Sequence, residues 1–189
     1  MKTLAKIIRV ITIAPVMAIC LILLLLVNTN NTFNNVCDLL MSIIFIVFIP
    51  TTSYILQKKF SVFSGDMRTG ERKLAIVFSF FAYTILLIYA LLSDTLELYK
   101  IMVLTYFLSG TMIFLFTFIF KINASGHMCG VSGPVALLFY VFGTWWGFLF
   151  LLLIAVAWSS IYLKRHSFKE LIIGTIIPVI SLIISVLII

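Results

Sequence analysis

Two histidines and one acid give this chain its clearest candidate chemistry. His166 and Glu170 stand four residues apart, the spacing that places two side chains on one face of a helix. A carboxylate in that position can accept the Nδ1 proton of the imidazole, which leaves Nε2 free as a nucleophile or base. His127, the second of the chain's two histidines, could donate a proton to a leaving group. The three side chains together predict group transfer through a histidine.

Cationic side chains are concentrated in the same polar breaks of the sequence. A phosphoryl group needs such cations as its charge redistributes during transfer. Ser125 and Gly126, directly before His127, add a hydroxyl and a sterically open backbone N–H where a phosphate oxygen could dock. The sequence therefore predicts phosphoryl transfer without a metal or cofactor. The predicted cationic phosphate ligands are Lys121, Lys164, Arg165, Arg68 and Arg72.

Each of these residues also has an ordinary structural interpretation. A lone histidine at a helix end is commonly just a polar interfacial residue. Paired basic residues such as Lys164 and Arg165 are usual topology signals in membrane proteins. Glu170 can favour a helix N-terminus through the helix macrodipole. Taken singly, the residues favour these interpretations, whereas their joint placement favours a site.

The composition indicates which elements must position these side chains. The chain has 189 residues, of which 63% are hydrophobic and 10% are charged, and its mean hydropathy is +1.27. Soluble chains carry about 25% charged residues, so a soluble domain, a disordered chain and a disulfide-rich secreted module are excluded. Cys20, Cys37 and Cys129 lack metal-ligand spacing and are expected to be inert packing residues. We predict an all-α integral membrane protein, a polytopic helical bundle with a single domain over residues 1–189.

Apolar stretches of about 20 residues, the length that crosses a bilayer, divide the chain. Residues 133–158 allow two interpretations, one long span or a hairpin of two short helices broken at 143–147. The hairpin gives seven segments and places twelve of the thirteen Lys and Arg residues on one side of the membrane, whereas the single span gives nine against four. We therefore predict about six to seven segments and favour seven. The other stretches are Ile7–Val27, Val36–Leu56, Leu74–Ser93, Ile101–Phe120 and a last one from about Phe168.

The same distribution of charge predicts the orientation of the chain. Because Lys and Arg concentrate in cytoplasmic loops, the N-terminus and the candidate site are expected to face the cytoplasm. Lys2, Lys6 and Arg9 before an apolar stretch are also typical of a signal peptide. That stretch is long and a good cleavage site is lacking, so we expect a retained first span.

The polar breaks that hold the histidines resemble the motifs of the type 2 phosphatidic acid phosphatase superfamily, a group of integral membrane lipid phosphatases. Residues 124–127, Ala-Ser-Gly-His, resemble its second motif, P-S-G-H. Ser159-Ser160, followed by His166 and Glu170, resembles its third motif, S-R-x5-H-x3-D, and Gly174 matches the glycine that usually follows the acid. The resemblance covers residues 121–174 well and the preceding part of the chain only in outline.

This resemblance implies a role for each matched residue. His166 would be the nucleophile that takes the phosphoryl group, with Glu170 orienting it. His127 would protonate the leaving lipid oxygen, and Ser125 with Gly126 would hold phosphate oxygens. The first motif of the family, K-x6-R-P, is missing from this chain. The arginine of the third motif is replaced by Ser160.

The resulting prediction is a membrane lipid phosphatase that hydrolyses a lipid phosphate or an isoprenoid diphosphate through a phosphohistidine. The bilayer supplies its substrate, and nucleic acid is not an expected partner. Two alternatives remain open at the level of the sequence. One is a non-catalytic lipid-binding or scrambling protein on the same scaffold, and the other is a phosphoryl or isoprenoid-phosphate transferase.

Overall fold

The computed structural model describes residues 1–29, 31–60, 62–63 and 66–189. In these ranges every regular element is a helix, as predicted. The elements in chain order are α1 (Lys2–Ile11), α2 (Ala14–Asn28), α3 (Val36–Phe60), α4 (Met67–Leu92), α5 (Glu97–Ile119), α6 (Gly126–Phe142), α7 (Thr144–Tyr162) and α8 (Phe168–Ile188).

Short polar side chains mark where four of these helices begin. A helix start leaves backbone N–H groups without partners, and an Asn, Asp or Ser side chain before the first turn can accept from one of them. In each case the side-chain oxygen accepts from the N–H three residues further along. The capping residues are Asn35 for α3, Asp66 for α4, Ser125 for α6 and Ser167 for α8.

Five of the described helices are long and apolar enough to cross a membrane, namely α3, α4, α5, α7 and α8. Helices α1 and α2 meet the same criteria only together, and they are bent by 50°. Helix α6 has 17 residues and is shorter than the five. The prediction of an integral, polytopic helical bundle is confirmed in this form, and the fifth of the seven predicted segments corresponds to the short α6.

The predicted first span is wrong in one respect, since Ile7–Val27 is not one helix. The chain leaves the helical conformation at Thr12 and Ile13, and Ile13 is extended with ψ 146°. Pro15 lies in the first turn of α2, where a residue without an N–H is tolerated because that group would have no helical partner. The proline therefore starts a new helix, and α1 stands at an angle to it.

Residues 133–158 form a hairpin, as the distribution of charge favoured. Helix α6 ends at Phe142, and Gly143 turns the chain with φ 79°, a conformation readily available to glycine. The N–H of Ser125 donates to the carbonyl oxygen of Glu170 at 3.0 Å. The breaks before α6 and before α8 therefore lie at the same end of the bundle. One long span over residues 133–158 would have placed them at opposite ends.

Helix α8 is the central helix of the half of the bundle that contains these breaks, and it packs along both α5 and α6. Gly174 lies against the start of α6. A Cβ at this position would lie 2.5 Å from the carbonyl oxygen of Ser125 and 3.2 Å from the Cβ of Met128. The absence of a side chain thus allows the start of α8 to touch the residues that begin α6.

The opposite end of the bundle is organised around a buried acid. The Oδ1 atom of Asp38 accepts from the Tyr89 hydroxyl at 2.8 Å, and Oδ2 accepts from the N–H of Asn34 at 2.9 Å. The side chain of Asn34 also donates to the carbonyl oxygen of Asp94 at 2.9 Å. Asp38, which lies within the predicted span Val36–Leu56, therefore joins α3 and α4 and the two loops at this end.

Candidate functional site

His166 and Glu170 form the pair that their spacing predicts. His166 Nδ1 lies 2.6 Å from Glu170 Oε2, and both side chains are mostly buried, with exposed fractions of 8% and 24%. The local structure differs from the expected helix face, because α8 begins only at Phe168 and Ser167 is its N-cap. His166 thus precedes the helix, and the acid of the first turn of α8 reaches back to it. The carboxylate fixes the Nδ1 proton and leaves Nε2 available.

The surroundings of His166 shift the pKa of its imidazole in two opposite directions. Burial lowers the pKa of the imidazole, and the hydrogen bond and charge of Glu170 raise it. The charges of Arg72 and Arg9 lower it further, and the net pKa lies below the ordinary value for histidine. A neutral ring with a free Nε2 is the form that a nucleophile requires.

His127 is the second residue of α6 and is held by the turn between α1 and α2. Its Nε2 lies 3.1 Å from the hydroxyl oxygen of Thr12. That hydroxyl is also 2.7 Å from the carbonyl oxygen of Ile8, which can only accept. Since a threonine hydroxyl has one proton to donate, it donates to Ile8 and accepts from His127 Nε2–H. This pattern leaves Nδ1 of His127 to exchange a proton with a ligand.

Arg72, one of the predicted cationic ligands, contacts the segment that precedes His127. Its Nη2 donates to the carbonyl oxygen of Ala124 at 2.7 Å, and its Nη1 donates to Asn123 Oδ1 at 3.4 Å. The Nε atom is buried and has no hydrogen-bond partner among the described residues. Arg72 therefore supports the segment before His127 and keeps one donor unused. Arg68, one turn earlier on α4, donates to the carbonyl oxygen of Arg165 at 3.3 Å.

The other predicted ligands have different environments. Ser125 is fully buried, and its hydroxyl accepts from the N–H of Met128 as the cap of α6. At Gly126 a Cβ would meet no atom within 4 Å, so the predicted open space beside its backbone is present. Lys121 and Lys164 occupy exposed turns with left-handed backbone, φ 54° and 51°.

Arg9 belongs to the site and was missed by sequence reasoning, which treated it as a topology signal. Its Nη1 donates to the hydroxyl of Ser160 at 2.7 Å, and the side chain is half-buried where α1 packs against α7. A signal was present, because Lys2, Lys6 and Arg9 are spaced along one face of an amphipathic helix. This pattern indicates a basic helix face. The contact of that face with α7 could not be predicted from the pattern, because it depends on the bend before Pro15.

The electrostatic balance of the site favours an anion. The arginines at positions 9, 68, 72 and 165 act on one another or on the histidines. The acids that act on this cluster are Glu170, which is paired with His166, and Asp66, which is the cap of α4 beside Arg68. Within the ranges that the structure describes, no group of three His, Cys, Asp or Glu side chains converges as metal ligands. The arrangement can place a histidine nucleophile and a second histidine beside an anionic group held by guanidinium groups.

An apolar groove of about 260 Å³ runs between α7 and α8 beside this cluster. Met128, which directly follows His127, and Leu171, which directly follows Glu170, line its inner wall. Leu153, Ala157 and Ile176 continue the groove towards the middle of the two helices. A hydrocarbon chain in the groove would thus have one end at the histidines.

Comparison with protein-family models, with curated proteins and with solved structures gives no significant match to this chain.

Proposed function

We propose that this protein is a membrane lipid phosphatase that hydrolyses a lipid phosphate or isoprenoid diphosphate through a phosphohistidine. The observation that carries the proposal is the His166–Glu170 pair at 2.6 Å, beside His127 and inside a cluster of arginines, at one end of an apolar helical bundle. The resemblance of residues 121–174 to type 2 phosphatidic acid phosphatases supports the same chemistry. A nucleophile oriented by an acid, together with a second proton-transfer group, suits a two-step displacement.

In the first step His166 Nε2 forms a bond to phosphorus while the bond between phosphorus and the leaving oxygen breaks. The electron pair departs with that oxygen, which takes a proton from His127 Nδ1. Burial and the charge of Arg9 disfavour this proton in the free protein, and the negative charge of the bound phosphate offsets both. The products are a phosphohistidine and either the lipid alcohol or, from a diphosphate, the lipid monophosphate. Glu170 accepts the Nδ1 proton of His166 in a hydrogen bond and stabilises the positive charge that develops on the ring.

In the second step a water molecule attacks the phosphorus of the phosphohistidine. Neutral His127 takes the proton of the water, the phosphorus–nitrogen bond breaks, and its electron pair returns to His166 Nε2. Inorganic phosphate leaves and both histidines are regenerated. Guanidinium groups stabilise the charge on the phosphoryl oxygens in both steps because their planar donors match pairs of those oxygens.

The apolar groove supports a lipid as the substrate. The hydrocarbon chain of the lipid phosphate would occupy the groove between α7 and α8, with its head group at the histidines. Burial of a hydrocarbon chain stabilises a complex by about 0.8 kcal/mol for each CH₂ removed from water. In a bilayer, where the chain is already out of water, the groove instead orients the head group.

The first test is phosphate release by the detergent-purified protein in EDTA, with His166→Ala alongside. The substrates are phosphatidic acid, phosphatidylglycerol phosphate and a polyprenyl diphosphate. We expect release that persists in EDTA and disappears in the variant. A radiolabelled phosphoryl group should remain covalently attached to the wild-type protein after rapid quenching and not to the variant.

Two controls are needed. One separates a loss of chemistry from a loss of folding, and the other tests whether water is the acceptor of the phosphoryl group. Glu97→Gln changes an exposed acid at the opposite end of the bundle and should leave turnover unchanged. Adding a lipid alcohol as an acceptor would detect transfer instead of hydrolysis. If folded wild-type protein releases phosphate from none of the substrates, or if His166→Ala retains full turnover, the proposal is wrong.

A further inference from the structure

We infer that Arg9 binds the phosphoryl oxygens of the substrate and that the N-terminal helix α1 thereby completes the site; this inference rests on the proposed function. Sequence resemblance assigns no role to any residue before position 121. The structure places the last turn of α1 against α7, where Arg9 Nη1 donates to Ser160 Oγ at 2.7 Å. Ser160 is the position at which the resembled motif has an arginine. A guanidinium is thus present at that point, although it comes from a different helix.

The guanidinium of Arg9 has donors left for an anion. One N–H is used on the neutral hydroxyl of Ser160, out of the five that an arginine carries. Among the described residues no carboxylate oxygen lies within the 4.0 Å of an ion pair with Arg9, and the one such pair is that of His166 and Glu170. A half-buried arginine without a counter-charge, beside further arginines, is stabilised by an anionic ligand.

Arg9 is also placed correctly with respect to both histidines. Its charge acts on His127 and on His166. Thr12, three residues further along the same chain segment, accepts from His127. The end of α1 therefore supplies both a positioning contact for the proton-transfer histidine and a guanidinium beside it.

The rest of α1 explains how an N-terminal helix is held in this position. Ala5 is fully buried, and α1 packs on α7. Leu4, Ile7 and Ile11 follow one face of the helix and are 52%, 52% and 56% exposed. An amphipathic helix of this kind lies in the membrane interface with its apolar face in the lipid and its basic face towards the polar side. Arg9 is on the basic face, which is the side that meets the site.

The experiment compares Arg9→Ser, Arg9→Lys and the matched control Lys6→Ser in the full-length protein. Lys6 lies on the same face of α1 but is exposed, and it has no place in the proposed site. Binding of inorganic phosphate is measured by calorimetry in detergent, and KM and kcat are measured for the best lipid substrate. We expect Arg9→Ser to weaken phosphate binding and to raise KM by about 10- to 100-fold, as for a lost hydrogen bond to a charged group. Lys6→Ser should match the wild type.

Two further variants guard against a purely structural effect. Arg9→Lys keeps the charge and a donor for Ser160 but loses the paired donors, so binding should still weaken. The exchange Arg9→Ser with Ser160→Arg returns a guanidinium to the same point from α7 and should recover phosphate affinity. If Arg9→Ser binds phosphate as the wild type does, or if the folded exchange variant recovers nothing, the inference is wrong.

The outcomes separate this inference from the proposed function. His166→Ala should abolish turnover and still bind phosphate, whereas Arg9→Ser should lose phosphate affinity and keep residual turnover at high substrate concentration. If the wild type turns over no lipid but binds phosphate through Arg9, the proposed function is wrong, and only the part of the inference that assigns phosphate binding to Arg9 stands. If the wild type binds no phosphate at all, the inference is wrong as well.

Discussion

At the residue scale, the proposed reactivity of this site depends on the balance of influences on His166. Burial is the largest influence and lowers its pKa, while Glu170 opposes burial through a hydrogen bond and its charge. Because the net pKa is below the ordinary value of about 6.5, the ring keeps its neutral, nucleophilic nitrogen at lower pH than an ordinary exposed histidine does.

Glu170→Gln tests this balance through the pH dependence of hydrolysis. Removing the group that raises the pKa of His166 should move the acidic limb of kcat/KM to lower pH. At the same time kcat should fall by about 10²- to 10⁴-fold, because the ring loses its orienting carboxylate. Comparison with the wild type on one substrate cancels the titration of the substrate phosphate itself. An acidic limb that moves to higher pH would contradict the assigned role of Glu170.

At the scale of the elements, the site depends on how closely α8 approaches the start of α6. The first turns of these helices supply His127 and Glu170, and the two helix starts are joined by the hydrogen bond from Ser125 N–H to Glu170 O. Gly174 allows this approach because any side chain there would meet a backbone oxygen, which cannot rotate away as a side chain can. The close packing of α8 against α6 thus explains why position 174, which matches the glycine of the resembled motif, has no side chain.

Gly174→Ala should therefore damage both stability and activity. The added Cβ, 2.5 Å from the carbonyl oxygen of Ser125, forces α6 and α8 apart at a cost of about 1–3 kcal/mol. Thermal unfolding in detergent and kcat would be measured together. Gly133→Ala is the matched control, since its Cβ would meet only the Cβ of Pro178 at an ordinary 3.5 Å. Equal melting temperatures and equal turnover for the two variants would show that the contact is not tight.

At the scale of the whole molecule, the bundle has two different ends. One end contains the histidines and the arginine cluster, and the other contains the buried Asp38 with Asn34, Asp94 and the exposed Glu97. Basic residues dominate the first end, and from the positive-inside rule we propose that this end faces the cytoplasm. The groove between α7 and α8 would then take lipid from the bilayer next to that face.

Cysteine labelling tests this orientation. After Cys20, Cys37 and Cys129 are replaced by alanine, one new cysteine is introduced by Ser167→Cys or by Asp94→Cys. Both positions are exposed, and they lie at opposite ends of the bundle. A membrane-impermeant thiol reagent added to intact cells should label the variant at position 94 and not the variant at position 167. The reverse pattern would place the site outside the cytoplasm.

The sequence alone determined the class of the protein, most of its helices and the central chemical pair. Apolar content is a property of composition, so the membrane-embedded helical bundle follows without any knowledge of packing. The contact between His166 and Glu170 spans only four residues, and local geometry suffices to form it even though the helix starts later than expected. The distribution of charge also favoured the hairpin over a single span. The side of the membrane on which a loop lies depends only on how many spans precede it, so this choice needs no knowledge of packing.

Only the tertiary structure decided which distant residues complete the site. Arg9 and Ser160 are 151 positions apart, and Thr12 and His127 are 115 apart. Neither contact has a periodic or spacing signal, because each depends on the bend between α1 and α2 and on the packing of α1 against α7. The same holds for the reach of Arg72 to Ala124, which depends on how α4 stands beside the start of α6. Local sequence patterns fix elements, whereas the relative placement of elements is set by packing over the whole chain.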